Sequence, residues 1–268
     1  MPIDIDQYKK ILVVSPHLDD GVLSVGGIIE KAVAKGTDVV VATAFTADAP
    51  PPEDVSSLAT DLHALWNIGP NPFEQRRRED VASVAILGAR ILHGHLPDAI
   101  YRTGPAGDFL YSTRQSISQP PSEQDGIGNV LSQLLDNWIG EISPDLVLSP
   151  LGVGRHVDHV LTTNALHRVA KARPVNVALY EDMPYSTGLF PVANPDSVEA
   201  ALGRTSWRVA GPRVVPVEIS KKLDAVAAYG SQLADIFPNG LHFGSVLEDY
   251  MRNCGNGTFA ERIWETAK

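Results

Sequence analysis

A strand–helix–strand pattern near the start of the chain restricts the possible folds more than any other feature of this sequence. Lys10–Ser15 reads KILVVS, and consecutive apolar positions are typical of a strand buried on both faces of a parallel sheet. Residues 22–35 have a helical pattern that stops at Gly36, and residues 37–45 form the next β-rich run. Two such strands joined by a helix make a βαβ unit, so the sequence predicts an α/β fold.

The remaining patterns extend this alternation along the chain. Strands are predicted at residues 89–96, 145–149 and 175–180, with an edge strand at 213–219; helices are predicted at 61–66, 73–88, 127–142, 159–173 and 220–234. Residues 104–126 are rich in Gly, Ser, Pro and Gln and predict a long loop, residues 184–207 are ambiguous, and residues 252–257 predict a loop around the single cysteine. We therefore expect one doubly wound α/β domain over residues 1–268, with a mostly parallel sheet and helices on both faces.

Charge and cysteine content exclude several classes of protein. The formal net charge of −10 argues against a nucleic-acid partner, because proteins that bind phosphate backbones carry basic faces. One cysteine allows no intramolecular disulfide. No apolar run approaches the roughly 18 residues that a membrane span needs, and the first six residues are acidic, unlike a signal peptide. These observations predict a cytoplasmic protein without a membrane span.

Two polar clusters follow predicted buried strands. The first is SPHLDD at residues 15–20, and the second is GRHVDH at residues 154–159. In open parallel sheets, ligand sites lie beyond the carboxyl ends of the strands, so both clusters are expected at one edge of the sheet. They are the candidate functional residues of the chain.

The residue types in these clusters favour a divalent metal. Two adjacent carboxylates, Asp19 and Asp20, repel each other unless a cation neutralises them. Two imidazoles and one carboxylate make a common zinc site that leaves a position open for water. His156 and His159 are three residues apart and can serve the same site, whereas Asp158 can orient a histidine through its second nitrogen.

Each residue also has an ordinary structural explanation. Asp19 or Asp20 can be the N-cap of the helix that begins near Gly21, and His156 alone can be a turn histidine. An HxDD motif and an HxDH motif after two strands of one domain are hard to explain by capping. The first strand is not followed by GxGxxG, which argues against a dinucleotide-binding oxidoreductase.

Several segments resemble one enzyme family in the expected order, from about residue 11 to residue 232. SPHLDDGVLSVGG resembles the first signature, usually AHPDDE, of the LmbE-like deacetylases, also called the PIG-L family, and GVGRHVDHVLTTNA resembles their HxDH signature. RRREDVASVAILGA, YEDMPY and KLDAVAAYGSQ resemble further segments of the family. The resemblance implies a Rossmann-like fold and hydrolysis of an N-acetyl amide on an N-acetylglucosamine-type sugar.

The resemblance also implies roles for individual residues. His17, Asp20 and His159 match the zinc ligands, and Asp19 matches the general base. His156 matches the histidine that stabilises the tetrahedral intermediate. The implied partner is a small N-acylated sugar or glycoconjugate, and the oligomeric state is left open.

Four further residues complete the expected site. Asp158 is expected to hold His156 charged and oriented. Arg76 and Asp98 stand where family members hold substrate hydroxyls, and Glu79, three residues after Arg76, is expected to hold that arginine. These residues extend the expected site from the metal to the substrate.

The sequence departs from the family pattern at three positions. Leu18 replaces a proline, Gly21 replaces a glutamate, and Gly154 stands where some members have an oxyanion-stabilising tyrosine. For that last role the sequence leaves three candidates open, which are His242, Tyr185 and Arg155. Two other functions also stay open: cleavage of a thiol–sugar conjugate by an amidase, and non-catalytic carbohydrate binding.

Overall fold

A computed structural model of the chain describes residues 4–69, 71–191 and 193–267. Residues 1–3 of the acidic N-terminal stretch and residue 192 of the ambiguous segment lie outside the described residues. The expectation of one domain over residues 1–268 stays a prediction.

The described residues form one seven-stranded sheet in the order β3-β2-β1-β4-β5-β7-β6. The five strands from β3 to β5 are parallel, and β7 runs antiparallel to both β5 and β6. The mostly parallel sheet is therefore confirmed, with β6 at the predicted edge. The strands are β1 (Lys10–Ser15), β2 (Asp38–Thr43), β3 (Arg90–His93), β4 (Leu146–Pro150), β5 (Asn176–Tyr180), β6 (Val209–Pro216) and β7 (Ala260–Thr266).

Helices cover both faces of the sheet, as predicted. Alternate side chains of β1 enter different hydrophobic clusters, because successive residues of a strand point to opposite faces. Ile11 and Val13 pack in the cluster that contains α1, α3, α7 and α9, whereas Leu12 and Val14 pack in the cluster that contains α4, α5 and α6. The α-helices of the described residues are α1 (Asp20–Ala34), α2 (Ser57–Trp66), α3 (Pro72–Ile86), α4 (Ile127–Ile142), α5 (Val157–Ala172), α6 (Val198–Arg204), α7 (Ser220–Ala227), α8 (Leu233–Ile236) and α9 (Phe243–Cys254).

The predicted helix at 220–234 is wrong in its second half. Helix α7 ends at Ala227, and the chain then turns toward α3. The Tyr229 hydroxyl donates to Asp80 Oδ1 at 2.7 Å, and the backbone N–H and hydroxyl of Ser231 donate to Glu79 at 3.1 and 2.6 Å. These buried hydrogen bonds replace the helical ones, and a short helix, α8, follows.

The C-terminal elements α9 and β7 were not predicted, and the loop predicted at 252–257 is wrong at its start. Helix α9 continues through Cys254, which is buried, and burial raises the pKa of its thiol to about 11. Such a thiol is not a nucleophile at neutral pH. Strand β7 was not predicted because it contains the charged residues Glu261 and Arg262, which do not look like buried strand residues. In the structure these charges form ion pairs with Lys222 and Glu181, respectively.

No helix among the described residues is long and apolar enough to cross a bilayer.

Candidate metal centre and active-site cavity

A cavity of about 730 Å³ lies beyond the carboxyl ends of the parallel strands. The β1–α1 turn and the β4–α5 loop bring the two predicted clusters together there, as expected from the parallel sheet. His159 and Asp158 are buried directly behind the cavity. The predicted site residues that line it are His17, Asp19, Asp20, Arg76, Asp98 and His156.

The side-chain hydroxyl of Ser15 holds the β1–α1 turn through two hydrogen bonds to backbone groups. It donates to the His17 carbonyl at 2.6 Å and accepts from the Gly21 N–H at 2.9 Å. A Cβ at Gly21 would lie 3.3 Å from Val13 Cγ1, so a small residue suits this close approach. Leu18, which replaces the family's proline, is fully buried in a cluster with residues of α2 and Phe73.

Asp20 joins the two histidines expected to bind metal. Its Oδ2 lies 3.1 Å from His17 Nδ1 and 3.2 Å from His159 Nε2. Two ligands about 2.0–2.1 Å from a tetrahedral zinc lie roughly 3.3–3.4 Å apart. Both imidazole–carboxylate distances are therefore within a few tenths of an ångström of those expected in a zinc site. The ring nitrogens of His17, His156 and His159 also lie close enough together to share an ion.

The second nitrogen of each proposed histidine ligand faces a buried carboxylate. His17 Nε2 lies 3.0 Å from Asp158 Oδ2, and His159 Nδ1 lies 2.7 Å from Asp182 Oδ1. Such carboxylates fix the tautomer and the ring orientation of metal-binding histidines. Asp182 also accepts from the N–H groups of Gly152 and Val153 at 2.9 Å, which holds the β4–α5 loop. Sequence analysis missed Asp182, although its position just after β5 was a usable signal.

The contacts of Asp158 differ from the expectation. Its carboxylate lies against His17, and only its backbone N–H contacts His156, donating to Nδ1 at 3.3 Å. Burial lowers the pKa of His156, and the nearby charge of His17 lowers it further. In this geometry the Asp158 carboxylate therefore orients His17 rather than His156.

Asp19 lines the cavity next to Asp20. It occupies the N-cap position of α1, but its side chain makes no capping hydrogen bond, so the capping explanation is wrong for this carboxylate. Burial raises the pKa of Asp19 to about 7, and the negative charge of Asp20 adds to this effect, while Arg76 opposes it. A carboxyl group with such a pKa both accepts and releases a proton near neutral pH.

Arg76 reaches the cavity from α3. Its Nη2 lies 3.5 Å from Asp19 Oδ2, and its guanidinium lies over the rings of Trp66 and Phe73 at 4.9 and 5.0 Å. The expected contact with Glu79 is wrong, because the Glu79 carboxylate accepts from Ser231, as described above. Arg76 is instead positioned by the aromatic rings.

Asp98 lies in the cavity, whereas Arg77, next to Arg76 on α3, points away from it. Asp98 lines the cavity, and its Oδ2 lies 3.7 Å from His17 Nε2. Arg77 points elsewhere, to the Thr46 carbonyl and to Asp48, each at 2.6 Å. Adjacent arginines on α3 therefore have different surroundings.

Of the three oxyanion candidates, Tyr185 is the one that lines the cavity. A Cβ at Gly154 would lie 2.3 Å from the Tyr185 ring, so this ring occupies the space that a side chain at position 154 would fill. Arg155 turns away and donates to the Asn194 carbonyl at 2.8 Å. His242 is exposed at the start of α9.

Two segments that the sequence left as a loop and as ambiguous contribute to the cavity walls. The 104–126 loop and the 184–207 segment each contribute one wall, and residues 232–238, which were not expected, contribute a third. Arg114 of the first wall pairs with Asp235 of the third at 3.1 Å. The residues that these walls contribute are Arg114, Gln115, Ile117, Ser118, Gln119, Pro184, Tyr185, Phe190, Pro191, Ala193, Asn194, Gln232, Asp235, Ile236 and Pro238.

Comparison with known proteins places this site in a family. The family model described as PIG-L, GlcNAc-PI de-N-acetylase, matches residues 12–170, which include both histidine motifs. A 2'-N-acetylparomamine deacetylase of Streptomyces fradiae is 29% identical over 227 residues, covering 84% of this chain and 74% of the relative.

Solved structures extend the likeness to nearly the whole chain. The zinc-inhibited form of teicoplanin deacetylase Orf2 has a TM-score of 0.83 at 28% identity, covering 96% of this chain and 98% of that one. The A40926 pseudoaglycone deacetylase Dbv21 has a TM-score of 0.78 at 29% identity, with 97% of both chains covered. The chain is therefore a deacetylase that belongs to the PIG-L family.

Proposed function

We propose that this protein is a zinc-dependent hydrolase that removes an N-acetyl, or other N-acyl, group from an N-acetylglucosamine-type sugar or glycoconjugate. The supporting observation is that His17 and His159 both lie against the Asp20 carboxylate, in a cavity that Asp19 also lines. Relatives named as deacetylases of an N-acetylparomamine, of teicoplanin and of a pseudoaglycone favour a glycoconjugate. We further propose one catalytic domain over residues 1–268.

Asp19 moves the protons of the proposed reaction. Zinc, when bound, lowers the pKa of water and polarises the amide carbonyl. Asp19 accepts a proton from the attacking water as its oxygen bonds to the carbonyl carbon, and then delivers that proton to the leaving nitrogen as the C–N bond breaks. The products are a carboxylate and a protonated amino sugar, because the second proton of the one water consumed passes from the carboxylic acid to the amine.

The oxyanion needs a donor that faces the cavity. We assign this role to the Tyr185 hydroxyl, because its ring fills the space beside Gly154 and lines the cavity. His156 lies edge-on to His17, with ring centroids 4.7 Å apart, and supplies a second polar group on the same side. Arg76 and Asp98 are placed to bind substrate hydroxyls.

The substrate must be larger than an acetyl group. The cavity of about 730 Å³ has a polar floor and three separate walls, so it accommodates an acylated sugar together with part of its acceptor. An amidase acting on a thiol–sugar conjugate would use the same metal and base. No contact among the described residues that line the cavity favours that reaction, and the relatives named above are deacetylases.

Acetate release and metal content test the proposal together. We expect one zinc per chain and release of acetate from at least one N-acetylated glycoconjugate in a panel of free sugars, aminoglycosides and glycopeptides. His159→Ala should lose both the metal and the activity. The control is His167→Ala on the same helix, because His167 packs on Trp207 away from the cavity. Full metal occupancy in His159→Ala would remove His159 from the ligand set.

A further inference from the structure

A buried arginine that sequence analysis did not single out lies behind the candidate metal centre. Arg102 is 6% exposed and does not belong to the cavity lining of the described residues. Its Nη1 lies 2.6 Å from Asp158 Oδ1, and its Nη2 and Nε each lie 3.0 Å from Asp125 Oδ2. The guanidinium also lies 5.3 Å from the ring centroids of both Phe45 and Tyr111. It is therefore fixed from several directions.

Asp158 is fully buried, and its carboxylate connects His17 to Arg102. Its Oδ2 lies 3.0 Å from His17 Nε2 and accepts from the Ala99 N–H at 3.0 Å, while its Oδ1 faces Arg102. A carboxylate that accepts from Nε2 keeps the proton on that nitrogen, which leaves the Nδ1 lone pair directed at Asp20. A buried carboxylate is tolerated only with a counter-charge, and Arg102 supplies it.

His17 stands between two groups of donor atoms. On one side, Nδ1 faces Asp20 and, across it, His159. On the other side, Nε2 faces Asp158 at 3.0 Å and Asp98 at 3.7 Å, and these donor atoms also lie close enough together to hold an ion. Carboxylate oxygens are good zinc ligands, so Asp158 would compete for the metal if its charge were free.

We propose that Arg102 is a positioning residue that keeps Asp158 an acceptor for His17 and thereby decides which donor group around His17 holds the metal. This inference rests on the zinc site of the proposed function. The same guanidinium binds Asp125 of the 104–126 loop, which also accepts from the Tyr111 hydroxyl at 2.8 Å. Arg102 therefore also ties the base of one cavity wall to the carboxylate that orients His17.

The test uses zinc affinity, the visible spectrum of the cobalt-substituted protein, and steady-state kinetics. For Arg102→Met we expect zinc affinity to fall about 10- to 100-fold, the range seen when an outer partner of a ligand is lost. We also expect a changed cobalt spectrum, because Asp158 becomes available as a ligand. The value of kcat should fall while KM stays unchanged, since Arg102 does not line the cavity.

The double variant Arg102→Met/Asp158→Asn separates metal selection from a general loss of structure. With no charge left on residue 158, the competing ligand is gone, so the cobalt spectrum should return to the wild-type form even though affinity stays reduced. A double variant that keeps the spectrum of Arg102→Met would overturn the proposal. Wild-type affinity and spectrum in Arg102→Met would do the same.

Two further variants complete the design. Arg102→Lys keeps a cation but cannot bridge two carboxylates, so it should bind zinc more weakly than wild type and more tightly than Arg102→Met. If Arg102→Met does not fold, wild-type zinc affinity in Arg102→Lys overturns the inference.

Arg90→Met, which breaks an exposed pair with Asp38, is the matched control and should change neither zinc affinity, nor the cobalt spectrum, nor the kinetics. Wild-type protein that binds neither metal would instead contradict the proposed function itself.

Discussion

The Asp19 side chain does not cap the helix that follows it, so a substitution there tests the chemistry with little effect on the turn. Its side chain makes no capping hydrogen bond, and Arg76 Nη2 lies 3.5 Å from its carboxylate. We predict that Asp19→Asn retains zinc but loses about two to four orders of magnitude in kcat, the usual contribution of a positioned general acid or base. Metal analysis and acetate release on the same sample provide the measurement. Near-normal activity would remove proton transfer from the roles of Asp19.

Tyr185 offers a second substitution that alters one atom. We predict that Tyr185→Phe lowers kcat about 10²- to 10³-fold, the usual effect of losing one oxyanion donor, with zinc content unchanged. Gly154→Ala should lower kcat as well, because its Cβ would lie 2.3 Å from the Tyr185 ring and displace it. A kinetic comparison of both variants with wild type makes the measurement. If Tyr185→Phe changes KM alone, the hydroxyl binds substrate in the ground state.

Site residues could be predicted where they belong to a short motif of residues close together in the sequence. The HxDD and HxDH motifs located the donor atoms that meet at Asp20 Oδ2. Asp182 and Arg102 were not found, because each acts on a histidine that is distant in sequence through a contact created by the fold. The expected pairing of Asp158 with His156 was wrong for the same reason, since proximity in sequence suggested it.

Helix α3 presents two adjacent arginines to different surroundings, which allows a matched comparison. Arg76 lies in the cavity over aromatic rings, whereas Arg77 binds Asp48 and a backbone carbonyl. We predict that Arg76→Ala lowers kcat/KM by about 10- to 150-fold, equivalent to a lost charged hydrogen bond of roughly 1.5–3 kcal/mol, with zinc intact. Arg77→Ala should have little effect on the same kinetics. Equal losses in both variants would show that α3 acts only as a basic surface.

Helix α1 depends on a strand at the other end of the chain. Its backbone is non-helical at Val25, and beyond this break the Glu261 carboxylate accepts from the N–H groups of Gly27 and Ile28 at 2.9 and 2.7 Å. Lys222 neutralises that carboxylate at 2.6 Å, with both side chains buried. Strand β7 and helix α7 therefore stabilise the helix that begins at Asp20.

We predict that Lys222→Met lowers the free energy of unfolding by about 3–5 kcal/mol, because it leaves a buried carboxylate without its counter-charge. Lys221→Met is the matched control, since Lys221 forms an exposed pair with Glu30 that is worth about 0–1 kcal/mol. Chemical denaturation of both variants gives the difference. A similar loss in the two variants would mean that the buried pair contributes no more than the surface pair.

The parallel part of the fold was predictable because strands β1, β2, β4 and β5 are largely apolar runs separated by helix patterns. Strand β7 and the break after α7 were not, because both depend on polar contacts between distant segments. The α7 break needs Glu79 and Asp80, and β7 needs Lys222 and Glu181 as partners for its charges. Neither partner can be recognised from periodicity.

The candidate metal centre joins parts of the molecule that are far apart in sequence, so metal loading should stabilise the whole protein. His17 and Asp20 follow β1, and His159 lies at the start of α5 after β4. A ligand that binds only the folded state at 100 times its Kd adds about 2.7 kcal/mol to the free energy of unfolding. For a chain of this size, each kcal/mol shifts Tm by roughly 2–4 °C. We therefore predict that removing zinc with a chelator lowers Tm by about 5–10 °C, and that adding zinc restores it.

The control for this shift is His159→Ala, which lacks one proposed ligand. Its Tm should be the same with chelator and with added zinc, because the remaining donors, His17 Nδ1 and Asp20 Oδ2, do not hold the ion alone. Thermal unfolding of both proteins under both conditions gives four values from one instrument. A chelator effect of equal size in His159→Ala would mean that the stabilising ion binds elsewhere. A wild-type protein whose Tm ignores both chelator and zinc would contradict a metal centre that spans β1 and α5.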